Sequence, residues 1–118
     1  MPLINRTTKV QTLTIANGVA ISDAVDMRDY AGGQVLMPAA WTAANIGFKI
    51  ASSEGDTYFP LYDSDGAIIE IGSPAVDKAF QLPIDIFGAL WIKLWSQDGA
   101  GGDTNQGAAR TIIIQLKS

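Results

Sequence analysis

VLMPAAWTAANIGFKIAS, residues 35–52, contains two apolar segments separated by an alanine-rich stretch around Trp41. Alanine favours helix, but Pro38 cannot occupy a helix interior because it lacks an amide hydrogen and clashes with the preceding turn. After Asn45 the large apolar residues recur at every second position, which is the period of a strand with one buried face. The stretch therefore predicts two strands joined by a tight connection with at most one helical turn, which Thr42 would cap.

The strand period recurs along most of the chain, and turn sequences separate the segments that show it. Asn17-Gly18 and the DSDG sequence at 63–66 have the residue types that tight turns favour. About eight strands are predicted in this way, and no amphipathic helix longer than about two turns. We therefore predict an all-β fold, an antiparallel β-sandwich of jelly-roll type, with an N-terminal arm over residues 1–9 and a single domain over residues 10–118.

The composition of the chain excludes several classes of function. It has 118 residues, a net charge of −4, no cysteine and no histidine, so thiolate or imidazole metal sites and most nucleophile–base pairs cannot form. We predict that the protein is not an enzyme and binds no cofactor. Its eight basic residues are scattered in an acidic chain, which disfavours nucleic acid. No apolar run reaches membrane-spanning length, and the N-terminal residues lack the apolar core of a signal peptide, so we expect no membrane contact.

Two segments resemble ligand-binding loops. Asp63 and Asp65 before Gly66 are similar to the start of a calcium loop, but the bidentate glutamate of an EF-hand is absent and predicted strands flank the segment. A hairpin turn needs the same residues, and we favour the turn. The glycine-rich sequence at 98–107 lacks the Lys-Ser/Thr pair and the helix of a phosphate-binding loop, so we expect a mobile surface loop there.

The low charge content indicates a protein-binding surface. Charged residues make up 17% of the chain, whereas an average globular domain has roughly 25%. A small domain has a high ratio of surface to volume, so a shortage of charge suggests that part of its surface contacts other protein. An alanine- and glycine-rich domain with long neutral loops would have the same composition. We favour the interface because long exposed apolar stretches promote aggregation when nothing covers them.

Alternation within the last two predicted strands identifies candidate interface residues. In ALWIKLW, Leu90, Ile92 and Leu94 share the core face, and two tryptophans share the other face. In RTIIIQLK, Ile113 lies opposite three apolar residues expected in the core. A loop or the N-terminal arm that covered these side chains would explain the same pattern without a partner. The predicted interface residues are Leu3, Ile4, Trp41, Trp91, Trp95 and Ile113.

Trp41 has two interpretations. As an anchor it would project from the slim connection after Pro38 and insert into a partner, as central aromatic residues of interfaces do. As a plug it would fold back and close the open end of the sandwich. We favour the anchor. In that case removal of the indole would weaken binding and leave the fold almost unchanged.

The succession VLMPAAWTAANIGFKIASSEGDTYFPLYDSDG, followed by LWIKLWS and NQGAARTIIIQLK, resembles a group of short virion proteins of tailed bacteriophages. The resemblance covers roughly residues 20–117 and departs at Glu54-Gly55, where Asp-Gly is expected. It implies a capsid decoration, or cement, protein on the capsid exterior, assembled in the host cytoplasm, whose partner is the major capsid protein. We also expect a homotrimer, because quasi-threefold positions are natural docking points on icosahedral shells.

A carbohydrate-binding β-sandwich module on the virion surface is the alternative. In that case Trp41, Trp91 or Trp95 would stack on sugar rings beside aspartate and asparagine side chains. Two of these tryptophans alternate within one predicted strand, as packing residues do, and aromatic residues total only 8% of the chain. We therefore rank the sugar-binding module second.

Overall fold

The protein structure, a computed structural model, describes residues 6–118, which form two antiparallel sheets. Two of the predicted interface residues, Leu3 and Ile4, lie outside this described part of the chain. A short 3-10 helix, η1, spans Ile84–Gly88. The strands are β1 Thr8–Ile15, β2 Ile21–Asp26, β3 Gly32–Leu36, β4 Asn45–Ala51, β5 Phe59–Pro60, β6 Glu70–Ile71, β7 Ala79–Gln81, β8 Trp91–Gln97 and β9 Arg110–Lys117.

The strand order confirms the predicted β-sandwich. Sheet A has the order β1-β9-β3-β7, and sheet B has the order β2-β8-β4, with β5 and β6 both paired to the free edge of β4. Consecutive strands therefore alternate between the sheets over most of the chain. When β5 and β6 are counted as one interrupted strand, this is the order of an eight-stranded jelly roll.

The chain crosses from one sheet to the other in the stretch that suggested the fold. β3 belongs to sheet A and β4 to sheet B, and residues 37–44 pass between them without a helical turn. The two predicted strands are confirmed. The predicted helical cap at Thr42 is wrong, because this residue binds the loop before β9 instead.

The core lies between the sheets, where alternating apolar side chains meet. Ile112, Ile114 and Leu116 of β9 are buried, as the alternation predicts. Ile92 of β8 is also buried, but Leu90 is 46% exposed, so its predicted place in the core is wrong. The reason is that β8 begins only at Trp91, and the strand alternation does not extend back to Leu90.

Strand pairing begins within the segment predicted as an N-terminal arm. Thr8 and Lys9 already belong to β1, where they pair with Lys117 and Leu116 of β9. The predicted boundary between residues 9 and 10 therefore lies inside a strand.

Two acidic turns are organised by single carboxylates. Asp63 accepts hydrogen bonds from the amides of Asp65 and Ala67 at 2.8 and 2.9 Å, which agrees with the turn interpretation of DSDG. Asp98 accepts hydrogen bonds from the amides of Ala100 and Gly102, and these bonds lower the pKa of its carboxyl group. The glycine-rich segment is thus a surface loop that hydrogen bonds to Asp98 organise.

The centre of sheet A requires a glycine at one position. A Cβ atom on Gly33 of β3 would overlap the carbonyl oxygen of Gln115 in β9, and backbone atoms cannot move aside as a flexible side chain can. A Cβ atom on the preceding residue, Gly32, would have no heavy atom within 4 Å. The two adjacent glycines therefore make a matched pair.

We expect Gly33→Ala to lower the free energy of unfolding by about 3 kcal/mol, because the sheet must distort to admit the methyl group. Gly32→Ala should change it by less than about 0.5 kcal/mol. Urea unfolding of both variants under one set of conditions measures the difference. Equal losses in the two variants would contradict the close approach of β3 and β9.

Candidate protein-interaction site

A buried glutamine joins the connection between β3 and β4 to the loop before β9. The side-chain amide nitrogen of Gln106 donates to the carbonyl of Thr42 at 3.1 Å and to Oγ of Ser96 at 2.9 Å. Its side-chain oxygen accepts from the Thr42 amide at 2.8 Å and from Nε of Arg110 at 3.1 Å. Gln106 is only 1% exposed, so every one of its hydrogen bonds is made inside the protein. We call Gln106, Thr42 and Arg110 the clamp.

The threonine hydroxyl completes the clamp. Oγ1 of Thr42 accepts from the Gly107 amide at 3.0 Å and from the Arg110 guanidinium at 3.1 Å. Sequence reasoning missed these roles, although the sequences MPAAWT and NQGAAR were both singled out for their resemblance to virion proteins. Their residues are brought together by the fold, and the paired occurrence of the two motifs was the available signal.

Trp41 lies next to the clamp, with its side chain divided between the core and a surface hollow. The indole is half-buried against the core cluster, and its N–H donates to the carbonyl of Ala44 at 3.2 Å. The remaining surface of the ring lines a hollow of about 250 Å³ together with Pro74, Ala75 and the exposed Val76. Trp41 therefore has the core contact required of a plug and the accessible apolar surface required of an anchor.

A polar cluster fixes the other wall of this hollow. The buried amide of Gln97 and the side-chain amide of Asn45 both donate to the Glu70 carboxylate. The oxygen of Asn45 accepts from the backbone amide of Ser73 at 2.8 Å, which holds the chain where it turns toward Val76. The hollow is thus bounded by two loops that hydrogen bonds hold in place.

A larger apolar hollow lies at the opposite end of β4. Its volume is about 550 Å³, and Phe59, Leu90 and Ile50 contribute to its lining. The Phe59 side chain is 64% exposed, although a phenylalanine gains more than most residues from burial. Sequence reasoning did not identify Phe59, because a two-residue strand that contains Pro60 shows no alternation.

The structure corrects the prediction for Trp95. Its indole is only 1% exposed, and its N–H donates to the Asp103 carboxylate at 2.7 Å. The Lys49 ammonium lies 4.8 Å from the ring centroid, and a Cβ atom on Gly47 would be only 2.8 Å from the ring. The loop after β8 thus covers this tryptophan, which was the alternative that the alternation left open, and a partner cannot reach it.

The other two predicted residues keep accessible surface. Trp91 is half-buried on the outer face of sheet B, where the Arg28 guanidinium lies 5.6 Å from its ring centroid. Ile113 is half-buried on the outer face of sheet A, paired with Thr12 and Leu36 on the neighbouring strands. The four predicted residues that the structure describes do not form one site, because they occupy two opposite faces and one end of the sandwich.

The Arg28 side chain also holds a carboxylate beside Trp91. It donates to both oxygens of Asp26, at 2.9 and 2.6 Å, and the Arg28 backbone amide donates a third bond. These bonds lower the pKa of Asp26 from 3.8 to about 2. Because the pKa is lower in the folded state, the stabilisation is present above about pH 4 and is lost as the pH falls toward 2. Both side chains are partly exposed, so the contribution to stability is small.

Residues 6–118 contain no group of three or more acidic side chains placed to hold a metal ion. Over the same residues, no helix has the length and apolar character needed to cross a membrane.

The comparisons with known proteins identify a shared fold. No protein-family model matches the chain, and the search of curated proteins finds no relative. Among solved structures, that of the SPBc2 prophage-derived protein YomS is similar to this chain, with a TM-score of 0.57 and 12% sequence identity. The likeness covers 99% of this chain and 100% of that chain. The two proteins therefore have the same overall sandwich, built from very different sequences.

We expect Gln106→Ala to lower the free energy of unfolding by about 2 kcal/mol, because it leaves the half-buried amide and carbonyl of Thr42 without their side-chain partners. The exposed Asn105→Ala substitution in the same loop is the matched control and should cost less than about 0.5 kcal/mol. Urea unfolding measures both. A Gln106→Ala variant as stable as the control would show that the clamp does not hold the loops together.

We expect Arg28→Gln to raise the pKa of Asp26 from about 2 toward its ordinary value of 3.8, because the charged hydrogen bonds are removed. Lys78→Gln, which removes the same charge elsewhere, should leave the pKa of Asp26 unchanged. Titration of the side-chain carboxyl carbons by NMR gives both values. A wild-type Asp26 that titrates at its ordinary value would exclude the ion pair in solution.

Proposed function

We propose that the protein is a bacteriophage structural protein that decorates the exterior of the capsid shell. The observation that carries the proposal is the whole-length likeness to a prophage-derived protein, at a TM-score of 0.57. The sequence motifs support the same assignment, since the two that resemble virion proteins meet in the clamp. The protein acts by protein–protein contact and not by catalysis, its main partner is the major capsid protein, and it assembles on the shell in the host cytoplasm.

The surface supports binding to protein. Phe59 and Leu90 expose large apolar area at one end of the sandwich, and Trp41 and Val76 do so at the other. Exposed apolar groups of this size are typical of interaction surfaces, and a rigid aromatic ring binds with little loss of side-chain entropy. We place the main shell contact at the hollow of Phe59, because this ring has the larger area left to bury.

The tryptophan contacts favour protein over carbohydrate as the ligand. Sugar-binding tryptophans present an open ring face, but Trp95 is buried and Arg28 lies over one face of Trp91. Trp41 retains only the part of its ring that the core leaves free. The protein also binds the shell as a homotrimer in this proposal, in keeping with the quasi-threefold positions of icosahedral shells.

Co-sedimentation of the purified protein with capsid shells of the phage that encodes it tests the proposed function. Wild-type protein should sediment with the shells and saturate at a fixed ratio to the major capsid protein. Mass spectrometry of purified virions should also detect it. Absence from virions together with failure to sediment would overturn the proposal. A glycan array distinguishes the alternative, since sugar binding without shell binding would identify a carbohydrate-binding module.

We expect Phe59→Ala to weaken shell binding by about 2 kcal/mol, roughly thirtyfold, while its free energy of unfolding changes by less than about 0.5 kcal/mol. Trp41→Ala should weaken binding and also lower stability, because its indole packs against the core. Val19→Ala removes an exposed apolar side chain outside both hollows and serves as the control. Undiminished binding by Phe59→Ala would exclude this end of the sandwich as the shell contact.

A further inference from the structure

The outer face of sheet A differs from the rest of the protein surface in its charge. The four strands of this sheet contain no aspartate or glutamate, although the chain has twelve acidic residues. The four strands contain three basic residues, Lys9, Arg110 and Lys117. Of these, only Lys117 lies on the outer face of the sheet according to the strand register. All the acidic side chains therefore lie in sheet B, in η1 and in the loops.

Neutral side chains cover the middle of this face. One row across the four strands consists of Thr12, Ile113, Leu36 and Ala79. The next row consists of Val10, Gln115, Gln34 and Gln81. Val10 is 68% exposed, and beside it Gly32 leaves a hollow of about 360 Å³. The face thus combines apolar and amide groups with a recess at its margin, whose lining includes Lys9 and Lys117 but no acidic residue.

We propose that this neutral face is the surface through which copies of the chain contact one another. Each copy has a net charge of −4, so two copies repel except where neither presents acid. The outer face of sheet A meets that condition over four strands, whereas sheet B presents Asp23 and Asp26 in β2. A second copy is therefore the occupant that the distribution of charge favours.

The inference rests on the self-association proposed above and identifies the surface responsible for it. A threefold ring requires two different patches of each copy to meet, because only a twofold axis joins a patch to itself. The β1 side of the face, with Val10 and Thr12, and the β7 side, with Ala79 and Gln81, are different patches and both are uncharged. The β1 side of one copy therefore packs against the β7 side of the next, and none of these four side chains carries a charge.

The test adds one charge to this face and the same charge elsewhere. Gln115→Glu is isosteric and places an acid in the middle of the face, while Asn17→Asp makes the equivalent change in the exposed turn after β1. Native mass spectrometry and sedimentation velocity at micromolar concentration, without shells, give the oligomeric state. We expect a wild-type trimer, a dissociation constant raised at least tenfold by Gln115→Glu, and no change in Asn17→Asp.

A second variant and a folding measurement keep the outcome interpretable. Val10→Glu changes a side chain that is already 68% exposed, so it should dissociate the trimer without altering the melting curve of the subunit. A monomeric wild type, or equal dissociation of Gln115→Glu and Asn17→Asp, would overturn the inference. A monomer that still sediments with shells would leave the decoration role intact, and a trimer that does not sediment would leave only the self-association.

Discussion

The buried amide of Gln106 joins two segments that are 64 residues apart in the chain. A jelly roll has open ends where the chain passes between its sheets. Backbone amides and carbonyls that are shielded from water there need hydrogen-bond partners within the protein. Gln106 satisfies both the amide and the carbonyl of Thr42, and it also reaches Ser96 in β8. One side chain thereby connects the crossing from β3 to β4, the loop before β9 and the end of sheet B. The position of Trp41 beside the clamp follows from this.

The two sheets differ in what covers the side chains on their outer faces. Sheet B covers aromatic rings with cations and with a loop, as the contacts of Trp95 with Lys49 and Asp103 show. Sheet A has no large aromatic residue on its outer face and no acid in its strands, and its neutral side chains remain open. The strands of sheet A thus contain basic but no acidic residues, whereas those of sheet B contain both.

Strict alternation made much of the fold predictable. Ile112 and Ile114 could be placed in the core from the period of β9 alone, and the break at Pro38 indicated the crossing between strands. Trp95 follows the same period, but its burial depends on Asp103 in a loop that returns over the sheet, and no periodicity describes such a return. The three residues that hydrogen-bond to the Gln106 side chain were not predicted either, because strand alternation describes no contact between loops; only the paired occurrence of MPAAWT and NQGAAR pointed to them.

The interrupted strand at the edge of sheet B has a consequence for solubility. A long unpaired edge offers a row of amides and carbonyls to any other strand, and chains crowded together at high local concentration can then polymerise edge to edge. Here β5 and β6 have two residues each and β5 ends in Pro60, so this edge has no continuous ladder to extend. The edge of β1 contacts β2 of the other sheet. The side-chain amide of Gln11 donates to the carbonyl of Ala24, and the backbone amide of Thr14 donates to the carboxylate of Asp23. The interrupted edge of sheet B and the contacts of β1 with β2 thus both disfavour fibril growth by strand addition.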